Sequence, residues 1–377
     1  MTRGPSSRLR VGIDGRAFTS AAGGIRRYLD CLVPALLALD DAPDIVGLGG
    51  DAASMPPGVA HIHEPPHPPT NAGWTIVGIP RAAARAGVDL IHAPAYTAPP
   101  WSGVPVVLTV HDVSYELHPE WYPYRRDWLR RRFYRSGARA AARILTVSEF
   151  SAGEISRAYN IPRDRITVTP LGVTTAFVPH DVEKAGELPA SVTSPFVLHV
   201  GDLHERRNLA VALDAVLEAR RRGAAALSLV LAGIDRGVVS GLCAQAARAG
   251  ASDALVALGP VSERALHALY SAATALVYPS RYEGFGLPIV EAMASGTPVI
   301  GSNAAAIPEV LGDAGILLDP DDVSAWATAI VSVLTDVTLR ERLQAAGKAR
   351  AATFTWARTA RATMDVYRRA IRARPQA

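Results

Sequence analysis

Lysine is nearly absent from this 377-residue chain. Among 39 basic residues only Lys184 and Lys348 are lysines, so fixed positive charge has to come from guanidinium groups. Cysteine is scarce as well. Cys31 and Cys243 stand far apart in apolar surroundings without metal-ligand spacing, which excludes a disulfide-stapled scaffold and a cysteine metal cluster. Two buried thiols in a reducing compartment are the expectation. No stretch reaches the roughly 18 apolar residues of a membrane span. Met1–Arg10 has no apolar run of signal-peptide length, so a cytoplasmic protein is expected. Also missing are an Asp-x-Asp metal motif after a strand, a Gly-x-Ser-x-Gly nucleophile elbow and a Gly-x-x-x-x-Gly-Lys phosphate loop. His61, His63 and His67, with Glu64, sit in a proline-rich stretch without a rigid scaffold. A surface loop is expected there rather than a metal centre.

What is present describes a globular α/β protein. Hydrophobic residues make up 49% and charged residues 20%, enough apolar material for two cores. The net charge of +4 lies entirely in residues 1–180, where 19 basic residues face 15 acidic ones; residues 181–377 balance at 20 and 20. Short β-branched runs alternate with helical segments, the signature of parallel sheets. Strands are expected at Leu9–Asp14, Ile45–Gly49, Leu90–Ala93, Val104–Val110, Ile144–Val147 and Ile166–Thr169. After a polar linker, His180–Pro195, they resume at Phe196–Gly201, Leu227–Gly233, Leu255–Gly259, Ala275–Tyr278, Pro298–Gly301 and Ile316–Leu318. The pattern divides the chain into domains 1–180 and 181–354. A last amphipathic helix, Trp356–Ile371, lies in a segment (355–377) expected to fold back onto the first domain.

Open α/β sheets bind ligands at the carboxyl ends of their strands, and the chemistry-bearing residues of this chain follow strands. Glu283-Gly-Phe-Gly-Leu-Pro-Ile-Val-Glu291 comes after the strand Ala275–Tyr278. Pro288 suits a first helical turn, which puts Glu291 one turn into a helix and Glu283 on the loop before it. The glycines let main-chain N–H groups face a phosphate at the helix N-terminus, and the flanking carboxylates can accept from sugar hydroxyls. Gly201 and Arg206-Arg207-Asn208 follow the strand Phe196–Val200; two arginines can clamp a pyrophosphate. Gly23-Gly24 opens a helix, allowing close backbone approach to phosphates. His111-Asp112 ends the strand Val104–Val110, where a histidine can hydrogen-bond a sugar or an acceptor. Asn303 and Glu309 follow the strand Pro298–Gly301. Tyr115-Glu116 is compatible with an acceptor-side loop.

The run from Tyr278 to Ile300 resembles the signature of family 4 retaining glycosyltransferases, and Leu108-Thr-Val-His-Asp, Pro170-Leu-Gly-Val and Ile307-Pro-Glu-Val are family-like too. The resemblance implies a GT-B fold, two Rossmann-like domains facing a central cleft. It assigns Glu283 to the donor sugar and Glu291 to the ribose hydroxyls, with Phe285, Gly286 and Leu287 between them. Arg206 and Arg207 fall where the family neutralises the donor diphosphate, with arginine at 207 in place of the usual lysine. Gly23 and Gly24 resemble the family's glycine turn, with Arg26 replacing its third glycine; His111 matches the family histidine, and the main chain at Val261 would hold the base. A nucleotide-sugar co-substrate is implied, with no metal cofactor and a glycan, lipid-linked or small-molecule acceptor; its base and sugar stay open, with GDP-mannose the first candidate.

Tyr124–Arg143 holds eight arginines and one acid, Asp127, with an apolar stripe at Tyr124, Trp128, Phe133, Gly137 and Ala140/Ala141. It reads either as a basic amphipathic helix touching anionic lipid or as a domain helix with solvated arginines; no motif for nucleic acid supports a third reading. Two other functions share the fold's logic: a nucleotide-sugar 2-epimerase, which needs no acceptor, and a non-catalytic nucleotide-sugar-binding module.

Overall fold

Runs of Val, Ile and Leu too short for a helix, bounded by Gly, Pro and Asp, form strands buried on both faces, as parallel sheets require. The computed structural model describes residues 8–20, 23–65, 70–122, 126–174, 177 and 188–372. It resolves into two units, Met1–Gly172 with Thr355–Ala377, and Val173–Phe354. The division thus falls at Gly172/Val173 rather than after residue 180. Residues 180–187 of the expected linker lie outside the described residues.

The first unit carries a parallel sheet of β1 (Arg10–Asp14), β2 (Asp44–Leu48), β3 (Ala60–Ile62), β4 (Leu90–Ala93), β5 (Val106–Thr109), β6 (Arg143–Thr146) and β7 (Ile166–Val168). Their spatial order is β3-β2-β1-β4-β5-β6-β7. The second carries β8 (Phe196–Val200), β9 (Ser228–Ala232), β10 (Leu255–Gly259), β11 (Ala275–Tyr278), β12 (Val299–Ser302) and β13 (Ile316–Leu318), in the order β10-β9-β8-β11-β12-β13. Each sheet reverses its strand order once, between β1 and β4 and between β8 and β11. At such a switch point adjacent loops leave in opposite directions and open a crevice.

Every expected strand forms, within two residues of its expected bounds. One further strand was not anticipated. β3 puts His61 into the sheet edge, correcting the reading of that stretch as loop alone; three residues are too few to show alternation. Glu64 pairs with Arg85 at 2.5 Å, and His67 lies outside the described residues. The cysteines are not buried thiols: Cys31 is half-buried and Cys243 exposed, because Cys243 falls on the solvent side of the helix Val239–Arg248.

The last helix runs Trp356–Arg372 and buries Thr359, Ala360, Thr363, Met364, Tyr367 and Ala370, an i, i+3, i+4 stripe. It is counted with the first unit by a buried polar chain as well as by apolar contact. The Tyr367 hydroxyl meets His92 Nδ1 at 2.7 Å, His92 Nε2 meets Thr109 Oγ1 at 2.8 Å, and Tyr28 reaches the same Thr109 oxygen at 3.2 Å. Burial pushes the His92 imidazole down to about 3, so it stays neutral and can accept from Tyr367 while donating to Thr109.

Tyr367→Phe leaves Nδ1 of a buried ring without its donor and should lower the unfolding free energy of the full chain by about 1–3 kcal/mol, read by urea melts. Acid should act in the same direction. The folded pKa lies below the unfolded value of about 6.5, so the unfolded chain binds the proton first. Stability is then lost as pH falls from about 6.5 towards 3. A Tyr367→Phe melt indistinguishable from the parent would show that the chain does not hold the helix.

Candidate functional site

At the switch point of the second sheet, β8 leads into Gly201 and β11 into Glu283. Gly201 has φ +127, and a Cβ there would lie 3.5 Å from Arg207 Nη2, so glycine keeps one side of that guanidinium clear of side chains. The residues Glu205–Arg207 form a single 3₁₀ turn, capped by His204, whose Nδ1 accepts from the Arg206 N–H at 3.3 Å. Asn208 ends the turn in the left-handed region at φ +55, a conformation asparagine tolerates. Its side-chain amide donates to the Pro320 carbonyl at 2.6 Å. The pair Arg206-Arg207 is thus fixed from both ends. Arg207 turns inward and is buried, while Arg206 is half-buried.

Arg207 pairs with Glu283, and both side chains are under a tenth exposed. Its Nη1 also donates to the Tyr278 hydroxyl at 2.5 Å, with the guanidinium carbon 5.3 Å from the centre of the Tyr278 ring. Beneath Tyr278, the His199 ring stacks at 5.2 Å and 19° and donates from Nδ1 to the Val277 carbonyl at 3.0 Å. Burial, and then the Arg207 charge, push His199 down to about 3. Removing a guanidinium from water is unfavourable unless a counter-charge and hydrogen bonds replace the lost hydration. Glu283 and Tyr278 supply both.

Arg281 N donates to the Arg206 carbonyl at 2.9 Å, joining the two loops, and Ala306 N, from the loop after β12, donates to the Glu283 carbonyl at 3.4 Å. Gly286, at φ +93, starts the helix Leu287–Ala294, which has Pro288 in its first turn and no side-chain cap. Pro288 has no N–H and Ile289 N donates to the Gly286 carbonyl at 2.9 Å, so the first turn presents the Leu287 N–H. Glu291 sits one turn in, buried, and accepts from the Tyr270 hydroxyl at 2.9 Å. The Phe285 ring is buried against Phe354, centroids 5.7 Å apart, so what residue 285 can offer a ligand is its main chain. Leu287 is half-buried, as is Val261 just beyond β10. Asn303 N donates to the Leu318 carbonyl at 2.7 Å. Glu309 lies in the first turn of the helix Ile307–Leu311, its carbonyl accepting from Arg350.

In the first unit His111 follows β5. Its Nε2 donates to the Pro94 carbonyl at 3.2 Å, leaving Nδ1 as an acceptor, and burial lowers its pKa. Its ring lies edge-on to Tyr28 at 5.0 Å. The Asp112 carboxylate accepts from the Ser114 N–H and hydroxyl at 2.9 and 2.7 Å, and its charge acts on His111 against the effect of burial. Tyr115 and Glu116 lie in a short helix, Ser114–Leu117, rather than in a loop; Tyr115 is buried and meets Tyr159, and Glu116 pairs with Arg135. Gly23 and Gly24 begin the helix Gly23–Leu37; Gly24 is exposed, and a Cβ on it would meet nothing within 4 Å. Among the described residues no group of three His, Cys, Asp or Glu side chains could hold a metal ion.

The arginine-rich segment forms the helix Trp128–Ala140. Its apolar stripe follows the expected one only at the C-terminal end, at Gly137 and Ala141. Gly137, Ala138 and Ala141 are buried, with Gly137 close against Ala98, whereas Trp128 and Leu129 are 60% and 61% exposed. The C-terminal half alone meets the core, so the first turn projects into solvent. Tyr124 lies outside the described residues. No single helix among the described residues is long and apolar enough to cross a membrane.

Tyr278, His199 and Tyr270 were not singled out from the sequence. A histidine within the buried strand Phe-Val-Leu-His-Val was the available signal, since a polar side chain in a parallel strand needs a partner.

Two parallel α/β units, each with one reversal of strand order, have the architecture of the GT-B fold. Residues 22–177 match the family model described as Glycosyltransferase Family 4, and 183–350 that of Glycosyl transferases group 1. The O-antigen chain mannosyltransferase B of Escherichia coli is 36% identical over 272 residues, 70% of this chain and 70% of that protein. The MMP alpha-(1->4)-mannosyltransferase of Mycolicibacterium hassiacum is 32% identical over 283 residues, 71% of this chain and 66% of the relative. Among solved structures, sucrose-phosphate synthase from Thermosynechococcus elongatus superposes with a TM-score of 0.77 at 23% identity, over 97% of this chain and 100% of its own. The chain belongs to glycosyltransferase family 4.

Ala305, in the loop held against Glu283, has φ +55, a region that costs a residue with a Cβ roughly 1–2 kcal/mol. Glycine removes that strain but adds unfolded-state freedom worth about 0.4–1 kcal/mol. Ala305→Gly should therefore gain a few tenths of a kcal/mol up to about 1 kcal/mol, and the β-branched Ala305→Val should lose at least as much. Equal melting temperatures for all three would show that the loop is unstrained.

Proposed function

We propose that this glycosyltransferase moves mannose from GDP-mannose to a glycan, lipid-linked or small-molecule acceptor with retention of configuration, without a metal ion. The observation that carries this is the buried Arg207 beside Glu283, next to Arg206 and an uncapped helix N-terminus. This is a cationic, glycine-lined place for a diphosphate, with carboxylates for sugar and ribose. The mannosyltransferase names of the similar proteins support mannose as the sugar. In the reaction the bond from the sugar's anomeric carbon to the diphosphate oxygen breaks and a bond to the acceptor oxygen forms on the same face. The departing phosphate oxygen takes the acceptor's proton. Negative charge grows on the diphosphate, and fixed cations already aimed there lower the barrier. Arg206 and Arg207 supply the charge that a metal gives elsewhere. Glu283 is assigned to the reacting sugar, Glu291 to the ribose, and the main chain at Gly201, Val261, Phe285, Gly286 and Leu287 to donor binding. Neutral His111 is assigned to hydrogen bonding with sugar or acceptor, and Gly23 and Gly24 to backbone approach to the phosphates. An epimerase or a non-catalytic module would need no acceptor.

Kinetics with GDP-mannose and a mannoside acceptor, in EDTA, test the reading. Glu283→Ala should lower kcat, because its interaction changes between ground and transition state, and Glu291→Ala should chiefly raise donor KM. Each loss is expected to be about 1–3 kcal/mol, with proton NMR of the product showing the donor's α configuration. Near-parental kinetics in a folded Glu283→Ala protein, an inverted product, or activity restored only by Mg²⁺ or Mn²⁺ would refute the corresponding part.

The exposed Trp128 and Leu129 lie beside Arg126, Arg130 and Arg132, all exposed. That pairing of apolar anchors with positive charge suits the surface of an anionic bilayer, and supports a cytoplasmic enzyme in peripheral contact with membrane. Sedimentation with phosphatidylglycerol vesicles should pull down the chain, with Trp128→Ser/Leu129→Ser and added salt each weakening capture. Equal capture by phosphatidylcholine would rule out the charge-based account.

A further inference from the structure

The guanidinium of Arg207 has two partners of different kind. Tyr278 is neutral, comes from the strand β11 itself, and holds Arg207 through both a hydroxyl at 2.5 Å and a ring face at 5.3 Å. His199 stacked below fixes the ring. Glu283 is charged and comes from a loop rather than a strand. Arg207 Nε finds no acceptor among the described residues, and the Nη2 side faces Gly201, where no side chain stands. A diphosphate arriving there would bring a second set of negative charges to a cation that a buried carboxylate already neutralises. Like charges cannot share one desolvated cation cheaply, whereas a hydroxyl and an aromatic face do not compete with a phosphate.

We propose that Glu283 is the resident counter-ion of Arg207 in the empty site and is displaced from it by the donor's diphosphate, while Tyr278 stays and positions the guanidinium throughout. The inference rests on the reading above that Arg207 binds the diphosphate. It adds that Glu283 reaches the sugar only after the phosphate has taken its place. One arrangement thus does two jobs. The cation is kept aimed without a ligand, and the carboxylate needed for the sugar is released by the substrate that requires it.

Calorimetric titration of the full chain with GDP, and with inorganic pyrophosphate as a probe without base or sugar, tests this at fixed salt. Glu283→Gln removes the competing charge and keeps the shape. It should bind both probes at least about fivefold tighter than the parent, even though its turnover falls. Tyr278→Phe loses stability by leaving a buried guanidinium N–H without its acceptor, and at a temperature where it is fully folded it should bind both several-fold more weakly, which a merely structural tyrosine would not produce. In Arg207→Ala/Glu283→Gln the gain should vanish. Glu283→Gln binding equal to or weaker than the parent, with binding lost in Arg207→Ala, would overturn the exchange and leave the site reading intact. GDP binding unchanged in Arg207→Ala would overturn the site reading itself. Should Glu283→Gln fail to fold, Tyr278→Phe decides for or against the positioning role, and a gain in pyrophosphate affinity by Glu283→Asp, whose shorter carboxylate pairs less closely, decides the exchange.

Discussion

A guanidinium taken out of water requires a negative partner and hydrogen bonds to match, and the second unit is arranged around meeting that requirement for Arg207. Strand β11 delivers Tyr278, the loop beyond it delivers Glu283, and the Glu205–Arg207 turn is closed by Asn208 in a left-handed conformation. The main-chain bond from Arg281 to Arg206 ties the two loops directly. The contacts of Arg207 with Tyr278 and Glu283 and of Arg206 with Arg281 are long-range in sequence, so the site exists only once β8 and β11 lie side by side. Its place follows from topology: the strand order reverses between them, and the residues that follow each strand are free to converge.

The first unit solves a different problem with similar means. His92 occupies a buried strand and is satisfied on one ring nitrogen by Thr109 of the adjacent β5 and on the other by Tyr367 from the end of the chain. A polar chain of this kind is fully satisfied or costly, which makes it a specific reason for the last helix to pack here. Above it, His111 is held by the Pro94 carbonyl and Tyr28. The neutral imidazole is therefore a consequence of the same packing.

Much of this was legible in the sequence because it rests on local rules. Strands showed as short apolar runs, the last helix as an apolar stripe, and the helix start at Leu287 through Pro288 and the glycines before it. The residue types at 206, 207, 283 and 291, from their positions after strands, marked the place proposed here for an anion and a sugar. Partners were not legible. Nothing local says that Arg207 would choose Glu283, that Tyr278 would lie under its guanidinium, or that Tyr270 would donate to Glu291. The misread stripe on Trp128–Ala140 has the same origin. Periodicity identifies an apolar face, but tertiary placement decides how much of it meets a core, and here Gly137 against Ala98 marks where contact begins. β3 escaped because an edge strand of three residues carries almost no pattern.

The arginine–carboxylate pair at the β8/β11 switch point is proposed as the donor diphosphate site. A crystal structure of the full chain with GDP bound tests it most directly. The diphosphate oxygens should lie within hydrogen-bond distance of Arg207, with Tyr278 still beneath the guanidinium and Glu283 turned away from it. GDP bound elsewhere, with Arg207 and Glu283 still paired, would contradict it.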